Sequence, residues 1–355
     1  MPAPQRGRFA TTLQRHWWRQ RPSALAQCLR PISWLYRGLL WLLRLPYVKG
    51  WRAAHSVPVP VIVVGNIIVG GAGKTPAVMA LVRALLAQGW RPGVVSRGHG
   101  GACTSWLEVL PDTSPVICGD EPLLMRLATG VPVWVGRQRA QAAALLCAAH
   151  PQVNVIVSDD GLQHLDLARD IEILVFDERG VGNGLCLPAG PLREPLPATL
   201  NSNTHVVYNA TTPSTPLPGQ LSTRALTKAS LLHDWWGGRQ KHGLSLTALR
   251  QQSLLAAAGT AAPERFFLML EALGLTIERM PLPDHFAYDA LPWPAQTTDV
   301  IVTEKDAVKM AGWSETHGPN GDEPGTRIWV VGLDFQLPEP TVHAVFQRLE
   351  ALRPP

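Results

Sequence analysis

Short runs of β-branched and other apolar residues alternate with amphipathic segments along most of this 355-residue chain. The apolar runs are predicted strands, at 59–64, 94–96, 131–135, 153–158, 171–176, 206–208, 299–303 and 328–331. Segments whose apolar positions recur every three to four residues are predicted helices, at 76–88, 137–149, 263–273 and 340–352. Apolar strands that alternate with helices are typical of a mostly parallel sheet, so the predicted fold class is α/β.

A strongly apolar segment precedes the first predicted strand. From Ala24 to Leu45 the chain is rich in Leu and Trp, and Arg30, Arg37 and Arg44 interrupt it at a spacing of seven. Seven residues are close to two helical turns, so the arginines fall nearly on one line of a helix. The longest uncharged run is far shorter than the roughly 18 residues that span a bilayer. We therefore expect a helix lying in a membrane interface with its arginines at lipid phosphates, the alternative being a core helix with one solvated face.

The distribution of charge also points to an anionic partner for the front of the chain. The formal net charge is +5, but residues 1–107 carry 14 Lys/Arg and no Asp/Glu, and the remainder is acidic. Such a front end suits a phosphate-rich ligand, a nucleic acid or a lipid surface. The composition, 46% hydrophobic and 17% charged, is too apolar for a disordered protein. Five scattered cysteines without a C-x-x-C pair argue against a zinc ribbon and fit a reducing compartment.

The strongest local signal is a Gly-rich turn between a predicted strand and a predicted helix, in VIVVGNIIVGGAGKTP, residues 61–76. In such a turn backbone N–H groups hold phosphates, the lysine reaches the β- and γ-phosphates of ATP, and the hydroxyl binds Mg²⁺. The strict pattern G-x-x-x-x-G-K-[ST] fails at its first position, which is Ile68. The match is to the G-G-x-G-K-T form, made by Gly70, Gly71, Ala72, Gly73, Lys74 and Thr75.

A second signal is an apolar strand that ends in two acids. NVIVSDDGLQH, residues 154–164, places Asp159 and Asp160 at the end of a predicted strand. A carboxylate at the carboxyl end of a parallel strand faces the ligand crevice and could bind Mg²⁺ directly or through water. The alternative is a turn in which one of these acids caps a helix. The sequence leaves open which of the two would contact the metal.

Other polar residues are candidates for the acceptor side of a phosphoryl transfer. Asp120 lies in Gly-Asp-Glu-Pro, two acids before a proline that can start a helix. His285 follows an aspartate and could orient a carboxylate that accepts a hydroxyl proton, although taken alone it is best interpreted as a solvated loop histidine. Arg193 and Glu194 lie in LPAGPLREP, where the arginine suits phosphate contact and an ordinary surface ion pair is the alternative.

Together these motifs resemble the tetraacyldisaccharide 4'-kinases, the lipid A 4'-kinases of Gram-negative bacteria. GNIIVGGAGKTP, GDEP, SDDGLQH, LPAGPLREP, DH-x-F and TEKDAVK occur in the family's order over nearly the whole chain. The resemblance implies a membrane-associated enzyme of the P-loop fold, at the cytoplasmic face of the inner membrane. Its reaction would transfer the γ-phosphoryl group of ATP to the 4'-hydroxyl of a tetraacylated glucosamine disaccharide 1-phosphate.

The resemblance also implies roles for individual residues. Asp120 falls on the family's proposed catalytic base, and His285 falls on the histidine thought to orient that base. The positions at ATP and Mg²⁺ are occupied by Lys74, Thr75, Asp159, Asp160 and Glu194. The positions at phosphate or substrate are occupied by Arg193, Gln163 and His164. The chain departs from the family at His99, often a tyrosine, and at Phe286, often a second histidine, which leaves the local substrate contacts open.

Two other functional classes have sequence features against them. A P-loop GTPase acting as a metallochaperone or targeting factor would need the motif N-K-x-D, but in Thr303–Asp306 the lysine stands directly beside the aspartate. A nucleic-acid-binding ATPase would use a polar basic surface, whereas these arginines lie in a Leu- and Trp-rich run that suits lipid better. We therefore expect no nucleic-acid partner.

A Thr-, Ser- and Pro-rich stretch at 209–225 is predicted to be a linker or long loop. Three parts are expected along the chain. They are a basic amphipathic membrane-associating segment at 1–52, a P-loop kinase core at 53–212, and a smaller C-terminal α/β domain at 213–355 that completes the active site. The composition of residues 314–326 predicts a surface insertion.

Overall fold

The computed structural model describes residues 8–238, 243–311 and 325–353, with side chains described from residue 13 onward. Most of the predicted insertion, residues 314–324, lies outside the described residues. The chain forms two compact units, the first made of Met1–Val95, Gln138–Thr223 and Leu337–Pro355, the second of Ser96–Arg137 and Arg224–Gln336. Both are built from strands and helices, which confirms the predicted α/β class.

The α-helices of the described residues are, in chain order, α1 (Arg8–Trp17), α2 (Ala24–Val48), α3 (Lys74–Ala87), α4 (Pro115–Cys118), α5 (Asp120–Thr129), α6 (Arg139–Ala149), α7 (Leu232–Trp236), α8 (Pro263–Ala272), α9 (Glu304–Ala307) and α10 (Glu339–Ala351). A short 3-10 helix lies at Leu246–Leu249. The strands are β1 (Val61–Gly65), β2 (Pro92–Ser96), β3 (Leu107–Glu108), β4 (Val133–Val135), β5 (Val155–Asp159), β6 (Ile171–Asp177), β7 (Thr204–Asn209), β8 (Gln220–Leu221), β9 (Thr223–Leu231), β10 (Leu254–Ala258), β11 (Ile277–Pro281), β12 (Asp299–Thr303) and β13 (Arg327–Gln336). Each predicted strand and helix overlaps an observed one.

The first unit is built on a parallel sheet in which β1 lies between β5 and β6. β2 pairs with the other side of β5, and β7 and β8 extend the sheet beyond β6. Every residue of β1 and β5 is buried, as expected when helices cover both faces of a parallel sheet. The register pairs Val64 with Asp159, so the carboxyl ends of β1 and β5 lie at one edge. The Gly-rich turn and the acidic pair therefore follow neighbouring strands of the same sheet.

The N-terminal apolar segment forms the single helix α2, and Ser23 accepts a hydrogen bond from the N–H of Ala26 as its cap. One line of α2 packs on the rest of the first unit. Ser33 Oγ donates to the carbonyl of Cys186 at 2.8 Å, and the Tyr36 hydroxyl donates to the carbonyl of Arg193 at 2.8 Å. Among the described residues, no helix combines the length and the apolar character needed to cross a membrane.

The second unit has its own sheet, with the strand order β11-β10-β12-β13-β9. β12 is central and pairs in parallel with β10 and β13, and β10 pairs in parallel with β11 on its other side. The sequence Leu-Leu-Ala-Ala-Ala of β10 was not among the predicted strands, because alanine has a low strand propensity. In the structure every residue of β10 is buried, and the aromatic residues Phe267 of α8 and Trp329 of β13 lie in the same core cluster. Packing therefore overrides local propensity at this strand.

The two units do not follow the linear division predicted at 52/53 and 212/213. Residues 96–137 join the second unit, and α10 at the C-terminal end joins the first. Just after α10, the Arg353 guanidinium lies over the ring of Trp90, 4.4 Å from its centroid. The stretch 209–225, predicted as a linker or long loop, contains β8 and the first residues of β9 and includes the boundary between the units after Thr223. Composition contains no information about which distant segments pack together.

Candidate functional site

The Gly-rich turn leads from β1 directly into α3, which begins at Lys74. Gly70 and Gly73 have positive φ values of 92° and 88°. A Cβ at Gly73 would lie 2.2 Å from Nδ2 of Asn209, which also donates to the carbonyl of Ala72 at 3.2 Å. Glycine is thus required at residue 73 by backbone conformation and by close approach. The turn ends at a helix N-terminus, whose N–H groups and dipole attract phosphate.

Lys74 and Arg193 both contact Asp160 at the end of β5. Lys74 Nζ lies 3.5 Å from Asp160 Oδ1 and 3.2 Å from Asn66 Oδ1. Arg193 Nη1 donates to both carboxylate oxygens of Asp160, at 2.9 and 3.2 Å. Burial would raise the pKa of Asp160, but Lys74 and Arg193 outweigh burial and hold that pKa below its ordinary value. The carboxylate is therefore ionised between two cations.

Thr75 and Asp159 place oxygen atoms at the same edge of the sheet. Thr75 is the second residue of α3, Asp159 is the last residue of β5, and both are buried. A hydroxyl and carboxylates are the hard oxygen ligands that Mg²⁺ takes, usually together with water and the phosphates of a nucleotide. Within the described ranges, no three His, Cys, Asp or Glu side chains form a metal site by themselves. The donor set therefore fits a Mg²⁺ ion that is held partly by ATP.

Arg179 is a residue of this region that sequence reasoning missed. Its Nη2 donates to the carbonyl of Gly71 at 2.6 Å, and its Nε donates to Asp177 Oδ2 at 2.9 Å. Its guanidinium also lies over the ring of Trp18, 4.3 Å from the centroid. Arg179 follows the buried strand β6, and a cation after a strand of a parallel sheet is the signal that could have identified it.

Glu194 connects α2 to the polar groups after β5. Its carboxylate accepts a hydrogen bond from Gln163 Nε2 at 2.6 Å and a charged hydrogen bond from Arg44 of α2. The contact of Arg44 differs from the expectation that all three arginines of this helix face lipid phosphates. The neighbouring carbonyl of His164 accepts from Arg169. The structure thus brings together Gln163, which was expected near the substrate, and Glu194, which was expected near the metal.

In the second unit, Asp120 is the first residue of α5 and only 5% exposed. Its Oδ1 accepts from the N–H of Glu121 at 2.9 Å, and His285 Nδ1 lies 2.9 Å from its Oδ2. His285 has a φ of 60°, and its N–H donates to the carbonyl of Gly259 at 3.3 Å. A non-glycine residue in the left-handed region is strained, and such strain is concentrated at functional sites. The imidazole of His285 is therefore fixed by its contact with Asp120 and is not a solvated loop side chain.

The charges around this pair favour an ionised carboxylate. The hydrogen bond to Asp120 raises the pKa of His285, against the opposing effects of burial and of Lys305. Burial would raise the pKa of Asp120, but His285 and Lys305 outweigh burial and lower it. Asp120 can therefore accept a proton at neutral pH, while the imidazole holds one of its oxygens.

Lys305 is a second residue whose role sequence reasoning missed. Its Nζ lies 3.0 Å from Glu121 Oε1, 3.2 Å from Asp284 Oδ1 and 4.0 Å from Asp120 Oδ2. The TEKDAVK motif contains this lysine, but motif order alone names no partner for it. Its position directly after the buried strand β12 is the signal that could have identified it.

Asp306 fixes the loop that carries His285. It is fully buried and accepts hydrogen bonds from the N–H of Gly259 at 3.1 and 3.2 Å. Thr303 Oγ1 donates to it at 2.7 Å, and Lys309 Nζ donates to it at 3.2 Å. Because Gly259 in turn accepts from the N–H of His285, Asp306 holds the backbone on which the imidazole is mounted.

Comparison with known proteins gives one consistent result. The model of the family LpxK, described as tetraacyldisaccharide-1-P 4'-kinase, matches residues 25–350. The tetraacyldisaccharide 4'-kinase of Leptothrix cholodnii is 50% identical, over 98% of this chain and 98% of its own length. That of Methylibium petroleiphilum is 50% identical, over 96% of this chain and 94% of its own. The crystal structure of Aquifex aeolicus LpxK in complex with ATP is similar with a TM-score of 0.73 and 26% identity, over 92% of this chain and 99% of that chain.

Proposed function

Because the chain belongs to the tetraacyldisaccharide 4'-kinase family, we propose that Asp120, held by His285, is the general base of its phosphoryl transfer. The enzyme transfers the γ-phosphoryl group of ATP, with Mg²⁺, to the 4'-hydroxyl of a tetraacyl glucosamine disaccharide 1-phosphate in lipid A biosynthesis. The observation that carries the assignment of the base is the 2.9 Å contact between His285 Nδ1 and Asp120 Oδ2 at a buried helix start.

The carboxylate of Asp120 is oriented from both sides. His285 binds Oδ2 and the N–H of Glu121 binds Oδ1, so the carboxylate cannot rotate freely. As the 4'-oxygen attacks the γ-phosphorus, its proton passes to Asp120 and the bond between the γ-phosphorus and the β–γ bridging oxygen breaks. Positioning of this kind supplies much of the rate in phosphoryl transfer, where the protein performs little covalent chemistry.

The nucleotide side is a set of cations and oxygen ligands. Lys74 and Arg193, which both contact Asp160, would neutralise charge on the transferring group. Thr75, Asp159 and Asp160 would hold Mg²⁺, which supplies further charge neutralisation at the phosphates when bound. Glu194 near the metal, and Gln163 and His164 near the substrate, stay predictions.

We also propose that α2 binds the membrane surface, at the cytoplasmic face of the inner membrane where ATP is available. Large apolar side chains on this helix are more than half exposed: Ile32, Trp34, Leu35, Leu39, Trp41, Leu42, Leu43 and Val48. So many large exposed apolar side chains on one helix are typical of an interfacial helix, with its tryptophans at the level of the lipid headgroups. An acylated substrate requires the enzyme to work at a lipid surface, which supports the assignment.

Replacing both Leu35 and Leu42 with glutamate is expected to lower binding to anionic lipid vesicles about 100-fold. The physical reason is that each leucine withdrawn from the acyl region forfeits roughly 1.5 kcal/mol or more. The measurement is vesicle co-sedimentation of the full chain. The control is Leu268→Glu on α8, since Leu268 is 57% exposed on another helix. Vesicle binding that the double substitution leaves unchanged would contradict the membrane role of α2.

Surface substitutions test this role more cleanly than deletion of residues 1–45. The deletion would also remove Tyr36 and Arg44, which contact Arg193 and Glu194. Such a truncated protein could lose activity without any change in its membrane affinity.

The activity itself is tested by transfer of label from radiolabelled ATP to the tetraacyl disaccharide 1-phosphate in detergent micelles. We expect phosphorylation that requires Mg²⁺ and is saturable in both substrates. A product labelled at any position other than the 4'-hydroxyl would contradict the assigned regiochemistry.

A further inference from the structure

We propose that Lys305 is a positioning residue of the phosphoryl-transfer site, whose ammonium keeps Asp120 ionised and aligned by joining three neighbouring carboxylates. The proposal rests on Asp120 being the general base, as proposed above. Lys305 is not assigned a step in the reaction, and it acts through Asp120.

Lys305 donates hydrogen bonds to two carboxylates and forms a longer ion pair with a third. An ammonium has three N–H donors and no acceptor, and Lys305 faces the carboxylates of Glu121, Asp284 and Asp120 at 3.0, 3.2 and 4.0 Å. Its side chain is 18% exposed, while that of Asp120 is 5% exposed. Partial burial weakens the screening of these charges by water, so each of them strongly affects its neighbours.

Without a nearby cation, the carboxylates of Asp120, Glu121 and Asp284 would repel one another and make ionisation of each less favourable. Like charges a few ångströms apart raise each other's pKa, and Glu121 and Asp284 would act on Asp120 in this way. Burial disfavours the ammonium of Lys305, but the three acids outweigh burial and raise its pKa above the ordinary value. Lys305 therefore remains charged throughout the pH range in which a kinase is assayed.

The charged and titratable groups around the cluster come from each segment that faces it. They are Asp120 and Glu121 of α5, Cys118 of α4, Asp284 and His285 of the loop after β11, His99, whose ring centroid lies 5.8 Å from that of His285, Lys305 of α9, and Lys309, two residues after the end of α9. Lys309 Nζ lies 3.2 Å from Asp306 and is the weaker of the two lysines in lowering the pKa of Asp120. Of these two lysines, Lys305 is thus the one whose ammonium contacts the carboxylates of Glu121, Asp284 and Asp120.

The backbone also places Lys305 for this role. Thr303, the last residue of β12, caps α9 by accepting a hydrogen bond from the N–H of Asp306. The cap fixes the first turn of α9 and therefore the starting point of the lysine side chain. Asp306, one residue further, holds the loop that carries His285 through Gly259. One helix start thereby supports both partners of Asp120.

The test is the pH profile of kcat/KM for the lipid substrate in Lys305→Met, with the full chain in detergent micelles and ATP at saturation. Removal of the ammonium makes ionisation of Asp120 less favourable, so the pKa of Asp120 rises. As the pH is lowered, the variant therefore loses activity at a higher pH than the wild type does. We expect the acidic limb to move upward by about 1–3 pH units, the range that a single opposite charge at this distance produces. We expect the KM for ATP to stay within about two-fold of that of the wild type, because no ATP contact is removed.

Two further variants separate positioning from simple support of the fold. Lys305→Arg retains the charge and is expected to return the acidic limb toward the wild-type pH. Lys309→Met removes another buried ammonium of the same unit and is expected to move the limb less than Lys305→Met does. If Lys305→Met and Lys309→Met lose the same stability and both keep the wild-type pH profile of kcat/KM, the proposal is overturned.

Glu121→Gln provides a test that does not depend on whether Lys305→Met folds. Removal of a like charge beside Asp120 is expected to move the acidic limb to lower pH, opposite to the effect of Lys305→Met. A limb that stays in place in Glu121→Gln would count against the cluster. Asp120→Asn in the same assay separates the two proposals. If Asp120→Asn is active, the base assignment fails; if it is inactive and Lys305→Met has an unshifted profile, only the role of Lys305 fails.

Discussion

Replacing Asp120 with asparagine is expected to lower kcat by about 10²–10⁴-fold, the range that general base catalysis contributes. The amide has nearly the size of the carboxylate but cannot accept the proton of the sugar hydroxyl. ATP affinity is expected to be preserved, because the Gly-rich turn and Lys74 belong to the first unit and Asp120 belongs to the second. The measurements are steady-state kinetics with the lipid substrate and calorimetric titration with ATP.

The matched control for Asp120 is Asp289→Asn, since Asp289 is exposed and lies in the same unit. We expect Asp289→Asn to retain wild-type kcat. His285→Ala is expected to lower kcat as well, because Oδ2 of Asp120 then loses its 2.9 Å partner and the carboxylate can rotate. Wild-type turnover in Asp120→Asn would refute its assignment as the base.

Replacing Lys74 with alanine is expected to lower kcat/KM for ATP by about 10²–10³-fold, the loss that follows removal of one preorganised charge-stabilising donor. Lys74 begins α3 at the end of the Gly-rich turn, where its ammonium can contact the β- and γ-phosphates of ATP. Asp160 keeps its contact with Arg193 in this variant, at 2.9 and 3.2 Å, so the carboxylate does not become an unpaired buried charge. Folding should therefore survive, and thermal unfolding monitored by circular dichroism checks this.

The control for Lys74 is Arg83→Ala, which removes an exposed cation from the same helix. We expect Arg83→Ala to bind ATP and turn over like the wild type. If Lys74→Ala kept a normal kcat/KM for ATP, the Gly-rich turn would not be the site of the reacting phosphates.

Features of this protein that depend on neighbouring residues could be predicted from the sequence. The strand, the Gly-rich turn and α3 follow one another over 61–87, and each is encoded by residues within a few positions of one another. The acids at the end of β5 are likewise local, because they directly follow an apolar run. The parallel pairing of β1 with β5 then brings both motifs to one edge of the sheet, as expected for an α/β fold.

The contacts that define the acceptor side depend on residues far apart along the chain. His285 and Asp120 are separated by 165 positions, and Lys305 and Glu121 by 184. Family resemblance could assign a role to His285, but no spacing rule could show that it reaches Asp120. A spacing rule likewise could not show that Arg44 pairs with Glu194, 150 positions away.

The physical reason for this difference is the range of the interactions involved. Helix and strand periodicity, capping and tight turns arise from hydrogen bonds and sterics among residues a few positions apart, so the sequence alone determines the phosphate loop, the acidic strand end and the apolar helix α2. Pairings such as Asp120 with His285 and Lys305 depend on which helices and loops pack together. The entropy cost of closing the long loops between these residues is offset by the packing of the whole unit, so short-range sequence patterns do not determine the pairings. The tertiary structure therefore decides which ionisable groups become neighbours, and through them the protonation of the base.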